Sequence, residues 1–231
     1  MSSVKLYDIR WVSHTAGPSP ITNEFGPNCR IELFFMGCKK AREGNPCPEC
    51  FNPGLWADKE NVRLLDPKDM VQHIMKHSDI RYITIVGGEP FDQPEGLTEL
   101  CENLRLNGFH IIVFTHYEIK EFKEWSRYSS STHEIINGWT KQLFHRFLKA
   151  IDILVDGSYN KEERIYDESI QDGFHDAVGS GNQIVWDMRT WRNHNYNTNI
   201  YGIPARDIQS LSIDKNDGLQ YCILRGSRAV F

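Results

Sequence analysis

Three cysteines on one short stretch are the residues of this chain best placed to do chemistry: Cys38, Cys47 and Cys50, spaced Cys-x8-Cys-x2-Cys. Thiolates are soft ligands that suit zinc and iron–sulfur clusters. A structural zinc site takes four ligands and is closed, so that reading needs Cys29 or a histidine as the fourth. A cubane [4Fe–4S] cluster held by three thiolates instead leaves one iron open to a chelating ligand. The cysteines alone leave both readings standing. Of the remaining cysteines, Cys101 falls on an apolar helical stripe and is better read as core, while Cys29 and Cys222 have no partner spacing.

A second group of candidates follows strand-like runs. Gly87-Gly88-Glu89-Pro90 offers a backbone edge that a ligand can approach closely, because glycine has no side chain in the way. Glu89 can orient that edge or accept a hydrogen bond. Asp156 ends a strand before Gly157; it can hold a cation or a polar group of a ligand, or simply start an Asp-Gly turn. Thr115, Asn182 and Asn52 are lesser candidates, Asn52 because chain connectivity keeps it near Cys50. His116 follows a strand too, but with nine histidines in the chain a structural role is the default for any one of them.

Position depends on the elements that carry these residues. Strand-like runs occupy Arg30–Met36 (Ile31, Leu33 and Phe35 on one face), Arg81–Val86, Phe109–Phe114 and Ile151–Val155, with Gln183–Trp186 weaker. Between them lie helical patterns. Asp66-Pro67 opens one with Met70, Val71, Ile74 and Met75 on its apolar face. A second runs from Pro94 to Asn107 with Leu97, Leu100, Cys101 and Leu104 at helical spacing, closed by Gly108. A third lies around Thr140–Lys149 and buries Leu143, Phe144, Phe147 and Leu148. Strand and helix alternate, which predicts an α/β fold with a mostly parallel sheet. In such sheets ligands sit at the carboxyl ends of the strands, where Gly37-Cys38, Gly87–Pro90 and Asp156-Gly157 all fall. Residues 189–202 show no clear period and read as an ordered loop or appended element.

With 40% hydrophobic and 25% charged residues the chain has the balance of a globular protein with a core, not of a disordered one. A formal net charge of -5 gives no support for nucleic-acid or anionic-membrane binding, and neither partner is expected. The first ten residues, with Asp8 among them, lack the basic flank and apolar run of a signal peptide, so the cytoplasm is the expected location. In that reducing compartment clustered cysteines bind metal or do chemistry more often than they pair.

The surrounding residues carry a resemblance. Gly26-Pro27-Asn28-Cys29-Arg30, Gly37-Cys38, Cys47-x2-Cys50-Phe51-Asn52-Pro53 ending at Trp56, Gly87-Gly88-Glu89-Pro90, Asp156-Gly157 and Gly179-Ser180-Gly181-Asn182-Gln183 stand in the order of the motifs of radical S-adenosylmethionine (SAM) enzymes. The chain resembles their glycyl-radical activating members, most closely the activase of anaerobic ribonucleotide reductase. The resemblance implies a partial (β/α) barrel with a core over 1–188, a cluster loop over 37–56 and a C-terminal extension over 189–231 packed on that core. It implies a [4Fe–4S] cluster on Cys38, Cys47 and Cys50, and SAM held by the cluster's open iron and by groups such as Gly87, Gly88, Glu89, Thr115, Asp156, Asn182 and Asn52. It also implies reductive cleavage of SAM to a 5′-deoxyadenosyl radical, a glycyl-radical enzyme as partner, and an electron donor such as flavodoxin or ferredoxin.

The chain departs from that pattern in places. The family usually separates the first two cysteines by three residues, whereas Lys39–Pro46 intervene here, a polar stretch with Gly and Pro that can loop out at little closure cost. The family's Thr-Gly-Tyr reads Thr115-His116-Tyr117. Additions near Trp125–Trp139 and after Asp187 supply aromatics and arginine, including Trp191, Arg192, His194 and Tyr196, of the kind a docking surface uses. These departures keep two rivals in view. One is a radical SAM enzyme modifying a peptide or small molecule, for example one like 7-carboxy-7-deazaguanine synthase; the other is a zinc-stabilised binding module with no catalysis.

Overall fold

The computed structural model describes residues 2–13, 17–19, 21, 29–57, 62–119, 134–165, 179–193, 202–213, 220–224 and 227–229. In chain order the strands are β1 (Val4–Ser13), β2 (Arg30–Phe35), β3 (Arg63–Leu65), β4 (Tyr82–Gly87), β5 (His110–Phe114), β6 (Glu134–Ile136), β7 (Trp139–Thr140), β8 (Ile153–Asp156), β9 (Ile184–Asp187), β10 (Gly202–Pro204), β11 (Ile208–Ile213), β12 (Gln220–Leu224) and β13 (Ser227–Ala229). The helices are α1 (Lys39–Arg42), α2 (Pro67–His77), α3 (Pro94–Leu106), α4 (Lys141–Ala150) and α5 (Met188–Asn193).

Eight strands share one sheet in the order β10-β9-β8-β5-β4-β2-β1-β3. Its centre is parallel, β2 on β4, β4 on β5 and β5 on β8. A parallel pair needs a crossover, and α2, α3 and α4 provide the three required. The flanks are antiparallel: β1 pairs with β2 and β3, and β9 with β8 and β10. The α/β class is therefore as expected, while the mostly parallel arrangement holds for the centre and gives way to a mixed sheet overall. Strand β9 returns antiparallel to β8, and the described part of the link between them holds a short 3-10 turn at Lys161–Glu163.

The helices form where the sequence caps them. The Asp66 carboxylate accepts the N–H groups of Lys68 (2.8 Å) and Asp69 (3.2 Å) at the start of α2. Thr140 Oγ1 accepts Leu143 N–H (3.1 Å) at the start of α4, and the Gly108 N–H closes α3 on Arg105 O (2.9 Å). Their apolar stripes pack on one face of the sheet, against Ile31, Leu33, Phe35, Ile83, Ile85, Ile111 and Val113. Each fully buried Leu or Ile contributes about 1.5–3 kcal/mol. Strand β2 is buried on both faces, so its polar positions Arg30 and Glu32 also lie inside.

The amino end of the sheet is held by charge. Arg30 is fully buried and donates to Thr84 Oγ1 (2.7 Å), Pro18 O (2.6 Å) and Ile83 O (2.5 Å); burial brings its pKa down to about 9. Asp152 accepts Ile111 N–H (2.9 Å), Arg192 (2.7 Å) and Arg105 (3.2 Å). Arg192 also donates to Ile151 O (2.8 Å), and Trp191 is only 8% exposed within the main core. These two residues do not offer a docking surface; they tie α5 to the sheet. Trp139 is likewise fully buried. Residues 26–28, 120–133, His194 and Tyr196 lie outside the described residues. Among the described residues no helix is long and apolar enough to cross a membrane.

Candidate active site

At the opposite end, register aligns the candidate loops. Phe35 stands beside Gly87, Ile85 beside Val113, and Phe114 beside Val155. The segments that leave these strands surround a cleft of about 710 Å³, lined by Cys38, Cys47, Cys50, Asn52, Gly87, Gly88, Glu89, Thr115 and His116 among others. That volume suits a bound cofactor.

The cluster loop leaves β2 and closes on its own base. Gly37 N–H donates to Leu55 O (2.8 Å) and Cys38 N–H to Trp56 O (3.0 Å). Within it the Cys50 sulfur accepts Asn52 N–H (3.4 Å) and Trp56 Nε1–H (3.5 Å), the kind of second-shell contact that tunes a thiolate-ligated metal. Burial pushes the Cys38 thiol up to about 11, against the opposing pull of the Ala41 N–H. Ligation, which needs the thiolate, therefore releases a proton from it. Cys29 precedes β2 and Cys38 follows its other end. A six-residue strand spans roughly 20 Å, so Cys29 is no fourth ligand.

The two glycines of the Gly-Gly-Glu segment answer to the protein itself. Gly87 has φ +122°, and a Cβ there would sit 2.4 Å from Phe35 N and O. A Cβ on Gly88 would sit 2.1 Å from Gly37 O. Gly88 N–H donates to Phe35 O (2.9 Å) and Glu89 N–H to Gly37 O (2.7 Å). Glycine is required because the β4 edge lies flush against the base of the cluster loop.

Glu89 is 1% exposed, and its carboxylate is met by the chain's own donors. One oxygen accepts Phe91 N–H (2.8 Å) and Thr115 Oγ1–H (2.7 Å); the other accepts His116 N–H (2.8 Å), with His116 Nε2 at 3.6 Å. Burial drives its pKa up to about 8 despite the opposing pull of these donors. It staples the loop after β4 to the loop after β5, and Thr115 acts through it.

Asp156 and Asn182 stand behind the cleft wall rather than on it. Asp156 is buried and accepts Ile119 N–H (2.5 Å); burial raises its pKa to about 6. Asn182 donates to Ser158 O (2.9 Å). The residue of that motif that lines the cleft is its neighbour Gln183, whose Oε1 accepts Gly179 N–H (2.9 Å) and Ser180 N–H (3.1 Å) while Nε2 donates to Gly157 O (3.0 Å). Sequence reasoning also passed over Arg10, Glu32, Phe51 and Tyr159, all on the cleft. Signals existed: Glu32 is a charge inside an apolar strand, paired with Arg10 (3.0 Å), and Phe51 directly follows Cys50, its ring tilted against Tyr159 at 4.8 Å.

Three thiols thus converge with a backbone edge on one cleft, and residues 25–186 match the family model for the 4Fe-4S single cluster domain. The chain belongs to that family. It is 29% identical over 139 residues to the anaerobic ribonucleoside-triphosphate reductase-activating protein of Enterobacteria phage T4, covering 59% of this chain and 74% of the phage protein. It is 32% identical over 95 residues to the pyruvate formate-lyase-activating enzymes of Staphylococcus epidermidis and Staphylococcus aureus, covering 39% of this chain and 36% of each of those. The matched region thus spans about a third of the staphylococcal proteins. The family match, with its cluster, displaces the zinc module.

Proposed function

We propose that this radical SAM enzyme cleaves SAM reductively and activates a partner glycyl-radical enzyme, anaerobic ribonucleotide reductase foremost, by removing a hydrogen atom from a glycine. The observation that carries the reading is the shared cleft, whose lining includes the three cysteines and the Gly87–Glu89 edge. When bound, the reduced cluster supplies the electron that breaks SAM into methionine and a 5′-deoxyadenosyl radical. The protein's own part is placement. Cys38, Cys47 and Cys50 hold the cluster, and Asn52 and Trp56 direct N–H groups at the Cys50 sulfur. The Gly87–Gly88 backbone would offer carbonyl oxygens to the methionine amino group of SAM, its amides being held by the cluster-loop base, and Glu89 and Thr115 keep it in register. Asp156 and Asn182 support the far wall through the loop that carries Gly157 and Ser158. Phe34, Phe51, Phe114 and Tyr159 line the cleft with apolar surface, which keeps water from a reactive radical.

In this reading the parallel centre is the wall of a partial (β/α) barrel. Residues 1–188 form the core and 189–231 an extension packed on it, through the pairing of β10 with β9. An electron donor such as flavodoxin or ferredoxin supplies the electron, and the cytoplasm is the compartment. His116, standing in the cleft where the family pattern has glycine, favours a second reading in which a peptide or small molecule takes the place of the partner glycine.

The anaerobically reconstituted protein should carry about four irons and four sulfides and, with dithionite, convert SAM to methionine and 5′-deoxyadenosine. Ala at Cys38, Cys47 or Cys50 should abolish both, and Cys101→Ala neither. A glycine-centred doublet by electron paramagnetic resonance after mixing with the reductase supports the activase. Normal SAM turnover with no such doublet, stimulated instead by a metabolite or short peptide, moves the assignment to the second reading.

A further inference from the structure

The two departures of this chain from its family pattern, the longer gap after Cys38 and the added segment before Trp139, meet in space. Lys39, the residue after the first cysteine, is held at two points. Its backbone N–H donates to Asp92 Oδ2 (2.5 Å), and its Nζ donates to Asn137 Oδ1 (2.5 Å). The other oxygen of Asp92 accepts the Tyr117 hydroxyl (2.9 Å), and Asn137 Nδ2 donates to that same hydroxyl oxygen. The result is a closed ring, Lys39–Asp92–Tyr117–Asn137–Lys39, in which each of these donors has an acceptor. Burial, with Asp92 beside it, pushes the Tyr117 pKa up and keeps the proton on its oxygen.

Each member comes from a different loop at the carboxyl end of the sheet. Asp92 ends the 3-10 turn after the Gly-Gly-Glu segment, and Tyr117 follows Thr115 and His116. Asn137 and Gly138 form the tip of the β6–β7 hairpin with φ of +48° and +83°, the two left-handed residues that a tight hairpin turn of this type demands. The tip is fixed from behind: Trp139, fully buried, donates its Nε1–H to Phe91 O (2.9 Å) and packs on the Phe91 ring at 5.0 Å.

We propose that Asn137, Tyr117 and Asp92 are positioning residues for the cluster, bracing Lys39 and through it Cys38 against the freedom that the longer cysteine gap confers. The proposal rests on the reading that Cys38 is a cluster ligand. Eight residues between two ligands give the first cysteine more conformations to lose on ligation than the family's three. A ring of side chains that fixes the next residue removes that freedom beforehand. It also explains why the two additions occur in one chain: the hairpin tip supplies the acceptor that the longer loop's first lysine needs.

The test is the rate at which the anaerobic holoprotein loses iron to a ferrous chelator, beside the electron paramagnetic resonance line shape of the reduced cluster. Asn137→Gly is the clean variant, because glycine keeps the left-handed turn and deletes only the amide. Tyr117→Phe keeps the ring and deletes only the hydroxyl. Each should speed iron loss about fivefold, the worth of a typical hydrogen bond, and the double variant should add little, since both break one ring. Asn137→Asp, which keeps the acceptor for Lys39 but loses the donor to Tyr117, should lie between the wild type and Asn137→Gly, and the apo-protein of Asn137→Gly should melt as the wild type does. Unchanged iron loss in both single variants overturns the proposal. So does faster loss accompanied by a matching fall in apo-protein melting, which would make the ring a support of the hairpin alone. A Cys38→Ser protein that takes up and keeps its cluster as the wild type does would instead remove the ligand reading underneath.

Discussion

Two carboxylates are buried at opposite ends of one sheet, Asp152 at the amino end of β8 and Glu89 at the carboxyl end of β4. Burial pushes both toward the neutral form. At Asp152, His110, Arg192, the Ile111 N–H and Arg105 outweigh burial and hold the pKa below the ordinary carboxylate value. At Glu89 the partners are neutral hydroxyl and amide donors and a histidine 3.6 Å away, and the pKa rises to about 8. Opposite charge, not burial or hydrogen bonding, separates the two. The amino end uses full ion pairs to join α3, α5 and the sheet. At the carboxyl end no arginine among the described residues pairs with Glu89, which leaves a site whose charge a bound group can still decide.

The largest test of that contrast is Asp152→Ala. It strips Arg192, Arg105 and the Ile111 N–H of their acceptor, and losing one side of a buried pair costs about 3 kcal/mol or more. Urea unfolding of the apo-protein at neutral pH should show it, with iron content after reconstitution unaffected. The sign of the pH dependence follows from the lowered pKa. Asp152 stabilises above its unfolded value of 3.8, and that contribution fades as pH falls below it. The variant should therefore lack part of the wild type's acid limb.

A smaller effect with the opposite sign belongs to Glu89→Gln. A raised pKa means the folded apo-protein binds a proton that the unfolded chain has released. Its stability should then decline as pH rises from about 4.5 to about 8, by ~2 kcal/mol or more. Glu89→Gln should abolish that slope. It should also lower stability at the acid end of that range, because a Gln amide would turn one N–H group toward donors that need an acceptor, and the deficit should shrink as pH rises. A wild-type profile flat between these limits would place a cation near Glu89 and erase the contrast.

The smallest effect is expected at Lys161→Ala. Its partner Glu49 belongs to the cluster loop, but the pair lies on the surface, with both side chains more than half exposed, and such pairs contribute little. Melting temperature and iron content should both match the wild type. A clear loss of either would mean that proximity to the cluster lends a surface pair weight that solvent screening should remove.

How much of this could be read from the chain depended on how local each cause was. The five strand-like runs and three helical patterns all correspond to elements, because periodicity and caps lie within a few residues. Strand β1 escaped notice. Its apolar residues sit at Val4 and Leu6, then at Ile9 and Trp11, and the register shift between Leu6 and Asp8 breaks the alternation. The Gly-Gly-Glu segment was legible as a motif, but the reason for its glycines was not, since Gly37 lies fifty residues earlier in the chain. Trp191 and Arg192 looked like exposed recognition residues because composition cannot tell an interface from a core. What decides is Asp152, forty residues away from Arg192. Gln183 was within the quoted motif, and only the fold shows that it, and not Asn182, lines the cleft.

The closure of the cluster loop at its base has a bearing on how such a protein changes over generations. Gly37 and Cys38 are zipped to Leu55 and Trp56 by backbone bonds that involve no side chain, so the neck of the loop does not depend on the residues beyond it. Residues can be added or removed between Lys39 and Pro46 without disturbing the strand that bears them, and each addition carries only a slowly growing entropic cost. Length variation is thereby confined to one side of a fixed junction. Selection can lengthen, recharge or reshape the mouth of the cleft in small steps while the strand end beneath it inherits an unchanged frame.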